Sequence, residues 1–239
     1  MSAPLQDKIT LVLLPGMDGS GELFEAFATA LDGEFDLSAV RYPLDGALGY
    51  AELESIAREA IPATGRYVIL GESFSGPIGV SLAESAGSQC MGLVLCASFA
   101  RNPLPYLAPL RAIIPVLPVS FAPSRLLRYL LLERDSAKAL EVALGASLRR
   151  LSTGALRARL SAVLSIDMGA KLAHITQPIR YLRARKDRLV PASASRWVAA
   201  HAPHAVIVSV DAPHFLLQTQ PREAARIVRD FVRKCEPVA

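Results

Sequence analysis

The chain has 239 residues, of which 51% are hydrophobic and 20% are charged. This composition excludes a disordered or fibrous protein and suits one α/β domain, alone or with an insertion. The formal net charge of +4 is a mild excess without a dense basic arm, so we expect no nucleic-acid partner.

Short apolar segments alternate with amphipathic segments through most of the chain. The apolar runs predict strands over residues 10–14, 35–40, 67–70, 91–95, 179–183 and 205–210. Apolar residues at helical spacing predict helices over residues 21–31, 50–61, 75–86, 192–201 and 221–234. Continuous apolar strands separated by helices predict a parallel sheet that is covered on both faces.

This alternation is interrupted between Arg101 and about Lys171, where no strand is predicted. The uncharged stretch 112–124 is too short and too rich in proline to cross a bilayer as a helix. We therefore expect no transmembrane segment and interpret the stretch as an apolar surface or lid. Four arginines on the following helical sequence are interpreted as a solvated face: Arg149, Arg150, Arg157 and Arg159.

Cysteine usage and the start of the chain indicate a reduced, cytoplasmic setting. Three cysteines (Cys90, Cys96 and Cys235) cannot all pair within one chain, and none lies in a CxxC motif. The segment Met1 to Lys8 has no basic start followed by a long apolar core, so we expect no signal peptide.

Ligands of parallel sheets bind beyond the carboxyl ends of the strands, where Gly71-Glu72-Ser73-Phe74-Ser75 follows the third predicted strand. A sharp strand-to-helix turn needs small residues two positions before and after its apex, and Gly71 and Ser75 meet this need around Ser73. The pattern alone occurs by chance about once in such a chain. An ordinary serine-rich helix cap is the alternative.

A serine becomes a useful nucleophile only when a base takes its proton. His214 follows the last predicted strand and precedes the last helix, on the same edge of the sheet as Ser73. A loop histidine packed against Phe215 is the alternative interpretation. The other histidines lie in positions typical of solvated connectors or helix ends: His174, His201 and His204.

The base in turn needs a carboxylate that fixes its tautomer. Asp187 follows the fifth predicted strand after a short loop and is the preferred candidate. Asp211 lies in the loop that presents His214, and Asp167 lies before the strands resume, so both remain alternatives. The alternative for Asp187 is a purely structural role, in which it pairs with a neighbouring arginine at the surface.

A glycine-bearing loop, residues 15–21, follows the first predicted strand. Such a loop can direct the backbone N–H of Met17 at a carbonyl oxygen, opposite the N–H of Phe74. A flexible connector is the alternative. A phosphate loop is disfavoured because the segment lacks both GxxxxGK[ST] and GxGxxG.

Ser73, Asp187 and His214 occur in the chain order associated with α/β-hydrolases. The sequence resembles the α/β-hydrolase superfamily over nearly its whole length, as a small serine esterase or lipase-like member. Four segments carry the resemblance: residues 13–19, 71–77, 187–191 and 213–218.

The resemblance implies an α/β-hydrolase fold with a reduced, mostly parallel sheet of about six strands and helices on both faces. It implies a core of residues 1–100 and 168–239 and a helical cap of residues 101–167. It also implies that Ser73 is the nucleophile, His214 the base and Asp187 the acid. Met17 and Phe74 would supply the oxyanion hole.

Three positions depart from the common family pattern. Pro15-Gly16 stands where many members have His-Gly before the oxyanion donor. Ser75 replaces the commoner second glycine of the turn, and Ala184 replaces a glycine between strand and acid. The first two departures leave the geometry of the oxyanion hole open.

A serine nucleophile implies acyl transfer through an acyl-enzyme and argues against dehalogenase or epoxide chemistry. The expected substrate is a carboxylic ester, or a thioester, of a moderately hydrophobic small molecule. An acyltransferase with the same three residues, or a non-hydrolytic ligand-binding protein, remains open. We expect no metal or organic cofactor, and a monomer or small homo-oligomer. The apolar side chains that favour this substrate, unless they merely pack the cap, are Leu107, Leu110, Ile113, Ile114 and Val116, with Tyr106 as a polar contact.

Overall fold

The computed structural model describes residues 8–114, 124–133, 136 and 138–236. The start of the chain, on which the expectation about a signal peptide rests, lies outside the described residues. So do residues 115–123, which include Val116 and most of the uncharged stretch.

The six strands form one sheet in which every neighbouring pair is parallel. Their order across the sheet is β2-β1-β3-β4-β5-β6, and the predicted sheet of about six mostly parallel strands is confirmed. The strands are β1 (Thr10–Leu14), β2 (Asp36–Ala39), β3 (Tyr67–Glu72), β4 (Cys90–Cys96), β5 (Ile179–Ala184) and β6 (Val206–Val210).

Helices follow the strands along the chain. The α-helices are α1 (Glu25–Ala30), α2 (Tyr50–Glu59), α3 (Gly76–Glu84), α4 (Ser124–Leu131), α5 (Lys138–Arg150), α6 (Thr153–Ser165), α7 (Gly169–His174), α8 (Ala192–His201), α9 (Leu216–Thr219) and α10 (Pro221–Cys235). Short 3₁₀ helices span Glu22–Phe24, Ser73–Ser75 and Pro105–Ala112.

Two hydrophobic cores lie on opposite faces of the sheet because successive strand residues point to opposite sides. In β1, Leu11 and Leu13 pack with α1, α9 and α10, whereas Val12 and Leu14 pack with α2, α3, α7 and α8. Every residue of β3 and β4 is buried, as expected for central strands that helices cover on both faces.

The carboxyl ends of β3 and β4 are level with each other, and so are those of β5 and β6. Glu72 in β3 pairs with Cys96 in β4, and Ala184 in β5 pairs with Val210 in β6. Because the strands are parallel, the segments that follow them emerge at one edge of the sheet. The three candidate residues that follow these ends are Ser73, Asp187 and His214.

Residues 101–167, which the sequence predicts as an insertion and which are called the insertion below, run between β4 and α7 and contain α4, α5 and α6. Arg101 and Asp167 form an isolated antiparallel bridge, so the two ends of the insertion meet. Among its apolar residues, Tyr106, Leu110 and Ile113 are exposed, whereas Ile114 is buried.

The prediction of a solvated arginine face is wrong at one position. Arg149 and Arg150 are exposed, but only 1% of Arg159 is accessible to solvent. Arg159 lies on the buried face of α6, where the carbonyl of Met17 in the loop after β1 and the carbonyl of Pro43 after β2 accept its hydrogen bonds.

Across the ranges given above, no helix combines the length and apolar character that crossing a membrane requires.

Candidate active site

Ser73 occupies the apex of the tight turn at which β3 ends and the 3₁₀ helix that leads into α3 begins. Its φ of +48° is in the left-handed region, which non-glycine residues seldom adopt. A Cβ built on Gly71 would lie 2.9 Å from the carbonyl oxygen of Ser75, so the turn requires glycine there. The Ser98 hydroxyl donates to the Ser73 carbonyl at 2.5 Å and helps to hold the strained residue.

His214 joins Ser73 to Asp187 through its two ring nitrogens. Nε2 lies 2.8 Å from Ser73 Oγ, and Nδ1 lies 2.8 Å from Asp187 Oδ2. The other oxygen, Asp187 Oδ1, accepts hydrogen bonds from the backbone N–H groups of Leu189 and Val190, both at 2.8 Å. A carboxylate can only accept, so the neutral imidazole carries its proton on Nδ1 and turns an Nε2 lone pair to the serine.

Burial strengthens this arrangement. Only 2% of the His214 side chain and 4% of the Asp187 side chain are exposed. Water therefore competes poorly for the hydrogen bond between them, and the low local dielectric increases its electrostatic strength.

The alternative carboxylates make other contacts. Asp211 is largely exposed and pairs with Lys186 at 3.1 Å, whereas Asp167 accepts a hydrogen bond from the backbone of Gly169. Three other histidines also lie elsewhere: His174 is exposed, His201 stacks on Trp197, and His204 bonds to the carbonyl of Gln177.

The loop after β1 lies beside the serine. A Cβ built on Gly16 would be 4.0 Å from the Cβ of Ser73. Within the described part of the chain, no group accepts a hydrogen bond from the Met17 N–H. The Phe74 peptide is held in place because its carbonyl accepts from Tyr50 Oη at 3.0 Å and the two rings stack.

Ser75 ties the turn to the same loop. Its hydroxyl donates to the carbonyl of Pro15 and accepts a hydrogen bond from Tyr42 Oη at 3.1 Å. The sequence shows Ser75 only as a small residue in place of glycine. Its bond to the loop depends on Pro15 and Tyr42, which are distant along the chain, and so cannot be deduced from the motif.

Glu72 is a buried carboxyl immediately before the serine. Burial raises the pKa of Glu72 to about 7, although the hydrogen bond from Gln218 Nε2 at 2.9 Å lowers it. The charge of Asp18 raises it further, and His214 has the opposite effect. The Gln218 Oε1 atom is buried without a hydrogen-bond partner within the described ranges. With the pKa of Glu72 at about 7, the protonated form is favoured below that pH, where the carboxyl carries no buried charge.

The insertion packs directly on the loops that carry Asp187 and His214. The Phe215 N–H donates to the carbonyl of Leu131 in α4 at 3.1 Å, and Arg188 donates to the carbonyl of Tyr129 at 2.6 Å. An apolar cluster links α4 and α5 to both loops. Its buried residues are Leu131, Leu132 and Leu144, and Leu189 and Phe215 of the two loops pack against them. The sequence does not predict which residues of the insertion contact which loop residues.

No three His, Cys, Asp or Glu side chains of the described residues are grouped so that they could hold a metal ion.

The model of the alpha/beta hydrolase family matches residues 11–227. The chain belongs to the alpha/beta hydrolase family. The α/β-hydrolase fold expected from the sequence is thereby confirmed, and the chain shares its architecture with solved structures. The enol-lactonase from Burkholderia xenovorans LB400 superimposes with a TM-score of 0.81 at 17% identity, over 97% of this chain and 94% of the other.

Two curated proteins are similar in sequence to this alpha/beta hydrolase. It is 27% identical to the pimeloyl-[acyl-carrier protein] methyl ester esterase of Nitrosomonas europaea over 217 residues, 83% of this chain and 85% of that protein. It is 31% identical to the chloroplastic phytyl ester synthase 1 of Arabidopsis thaliana over 121 residues. That second match spans 47% of this chain and only 17% of the plant protein.

Replacing Glu72 with glutamine should change how the stability of the hydrolase depends on pH. In the unfolded chain the carboxyl loses its proton near pH 4.5, whereas in the folded chain it keeps the proton to about pH 7. Folding therefore takes up a proton between these values, and the free energy of unfolding falls as pH rises through this window. Glu72→Gln removes that loss. As pH rises from 5 to 8, the free energy of unfolding of the variant should therefore increase by about 3 kcal/mol relative to that of wild type.

Denaturant unfolding of both proteins at pH 5 and pH 8 measures this difference. Glu59→Gln, on an exposed face of α2, is the matched control and should leave the pH dependence unchanged. Equal pH dependence in wild type and Glu72→Gln would show that Glu72 is ionised in the folded protein.

Removing the Ser75 hydroxyl should destabilise the fold because two buried groups lose their partner. We expect Ser75→Ala to lower the free energy of unfolding by about 1–3 kcal/mol. Tyr42→Phe removes the hydroxyl that Ser75→Ala leaves unpaired, so the double variant should cost less than the sum of the two single variants. Additive costs in denaturant unfolding would contradict the contact between Tyr42 and Ser75.

Proposed function

We propose that this chain is a serine hydrolase that cleaves a carboxylic ester of a moderately hydrophobic small molecule through an acyl-enzyme. The observation that carries the proposal is the buried chain of hydrogen bonds from Ser73 through His214 to Asp187, with both links at 2.8 Å. A hydroxyl, an imidazole and a carboxylate joined in this way can generate an oxygen nucleophile at neutral pH.

In the first half of the proposed reaction, Ser73 Oγ attacks the ester carbonyl carbon while His214 Nε2 takes the hydroxyl proton. Asp187 stabilises the imidazolium that forms. The N–H groups of Met17 and Phe74 donate to the oxyanion of the tetrahedral intermediate. When the intermediate collapses, His214 gives its proton to the departing alcohol, and the acyl group remains on the serine.

In the second half, water takes the place of the alcohol. His214 accepts a proton from the water as its oxygen attacks the acyl carbon, and then returns the proton to Ser73. The free acid leaves and the enzyme is regenerated. A thioester would follow the same steps with a thiol as the leaving group.

The substrate class rests on two further observations. Both similar curated proteins are named for carboxylic esters, one as an esterase and one as a synthase. The leucine-rich cluster of α4 and α5 packs on the loops that carry His214 and Asp187, so one side of the site is bounded by apolar side chains. Apolar walls favour an aliphatic acyl or alcohol group over a sugar or a phosphate.

Acyl transfer to an alcohol is the second candidate function, and the likeness to phytyl ester synthase 1 supports it. The two reactions share the acyl-enzyme and differ only in the group that accepts the acyl chain. Product analysis in the presence of increasing concentrations of a long-chain alcohol separates them. A product that is mainly ester favours transfer, and a product that is mainly free acid favours hydrolysis.

A cytoplasmic location and a monomeric or small homo-oligomeric state stay predictions from the sequence. All three cysteines are free, which suits a reducing compartment.

Replacing Ser73 with alanine should abolish turnover of a p-nitrophenyl acyl ester. We expect kcat/KM to fall by at least about 1,000-fold because no other group of the site supplies the nucleophile. Turnover of wild type no faster than that of Ser73→Ala would contradict the proposal and leave a ligand-binding role on the same fold.

Two aspartate variants test which carboxylate serves the histidine. Asp187→Asn should lower kcat by about 100- to 10,000-fold, because an amide would favour the wrong tautomer of His214. Asp211→Asn removes an equal charge from an exposed neighbour and should leave kcat close to wild type. Similar losses in both variants would argue against a specific role for Asp187.

A further inference from the structure

Arg159, in α6 of the insertion, is a buried cation that the mechanism above does not use. Its guanidinium donates to the carbonyl of Met17 at 2.5 Å and to the carbonyl of Pro43 at 2.8 Å. It also lies against Tyr42, with 5.8 Å between the guanidinium carbon and the ring centroid. One side chain of the insertion thus bonds to the residue whose N–H is the proposed oxyanion donor.

Asp18, the next residue of that loop, is fastened to the insertion from another helix. The residue is 6% exposed, and its Oδ2 accepts from Ser147 Oγ of α5 at 2.7 Å. The same oxygen accepts from the backbone N–H of Ser20 at 3.0 Å and from the Ser20 hydroxyl. Two helices of the insertion therefore hold the two residues that flank one peptide bond.

The loop backbone is shaped to receive the guanidinium. Gly19 has a φ of +73°, and a Cβ built on it would lie 2.6 Å from Arg159 Nη1. Any other residue at this position would be strained and would displace the arginine. The guanidinium therefore lies directly against the loop.

Burying charged side chains is a costly way to attach one part of a protein to another, and well-packed apolar side chains attach at least as well. Apolar contacts, however, cannot fix the direction of a backbone carbonyl. Hydrogen bonds from a planar guanidinium do fix it, because the donors are arranged in a rigid fork. Here they fix the peptide plane between Met17 and Asp18 and join it to the carbonyl of Pro43 in the segment after β2.

We propose that Arg159 and Asp18 are positioning residues that hold the loop of residues 16–21 with the Met17 N–H facing Ser73. The oxyanion hole would then be complete only while the insertion is docked. This inference rests on the proposed function and adds a role for the insertion beyond shaping the substrate pocket. Neither residue touches the reacting atoms.

Kinetics of Arg159→Met test the proposal with p-nitrophenyl acyl esters. Methionine keeps the length and the apolar stem of the side chain but removes both donors. We expect kcat to fall about 10- to 100-fold with KM within about threefold of wild type, because the donor matters most when the oxyanion forms.

Arg150→Met is the matched control. Arg150 also joins the insertion to the core, through an ion pair with Glu22, but both side chains are about half exposed. This variant removes the same charge and the same type of residue from the neighbouring helix, and kcat should stay close to wild type.

A trifluoromethyl ketone with the same acyl chain provides a readout that simple loss of stability would not change. Ser73 Oγ adds to its carbonyl carbon, His214 takes the hydroxyl proton, and the ketone oxygen becomes an anion in the oxyanion hole. Its inhibition constant for Arg159→Met should rise by the same factor by which kcat/KM falls. Arg159→Lys, which keeps the charge but not the fork, should show a smaller loss of the same kind and serves if the methionine variant does not fold.

The outcomes separate this inference from the proposed function. Suppose that wild type turns over the ester faster than Ser73→Ala does, but that both Arg159 variants keep the wild-type kcat. The proposed function would then stand, and the positioning role of Arg159 would be overturned. A rise in KM with kcat and the inhibition constant unchanged would overturn it too, since Arg159 would then act on substrate binding. Wild-type turnover no faster than that of Ser73→Ala would overturn the proposed function and this inference with it.

Discussion

The hydrogen bond between the His214 imidazole and the Asp187 carboxylate is the interaction on which the site depends. Without it, His214 would be free to rotate or to place its proton on the nitrogen that faces the serine. The carboxylate is itself fixed, because two backbone N–H groups of its own loop bind its second oxygen. A short backbone segment thus determines the state of a ring that contacts a serine 141 positions away along the chain.

The parallel sheet makes this convergence possible. Strands that run in one direction deliver their following segments to one edge, so residues far apart in sequence need only short loops to meet. The insertion then closes the edge from two sides. Its helix α4 contacts the loops of Asp187 and His214, and its helices α5 and α6 contact the loop after β1.

Much of this architecture follows from the sequence because its signals are local. Apolar runs and turn residues define all six strands, and the chain order of Ser73, Asp187 and His214 is visible without a structure. The local sequence does not decide between Asp187 and Asp211, because both residues follow strands at the same edge of the sheet. It depends on which carboxylate the loop turns inward, and Asp211 instead pairs with Lys186 at the surface.

Buried polar contacts between distant segments are what the sequence conceals. Arg159 belongs to a run of arginines whose other members give no sign that one of them points inward. Its burial becomes predictable only once the loop carbonyls that accept its hydrogen bonds are known. Ser75 and Glu72 share this property, because their partners Pro15 and Gln218 come from other elements of the fold.

Covalent labelling with a fluorophosphonate, followed by identification of the modified residue, tests the central claim most directly. The account predicts a single label on Ser73, and labelling that is greatly slowed when His214 is replaced by alanine. A label on another serine such as Ser75 or Ser98, or equally fast labelling of Ser73 without the imidazole, would contradict it.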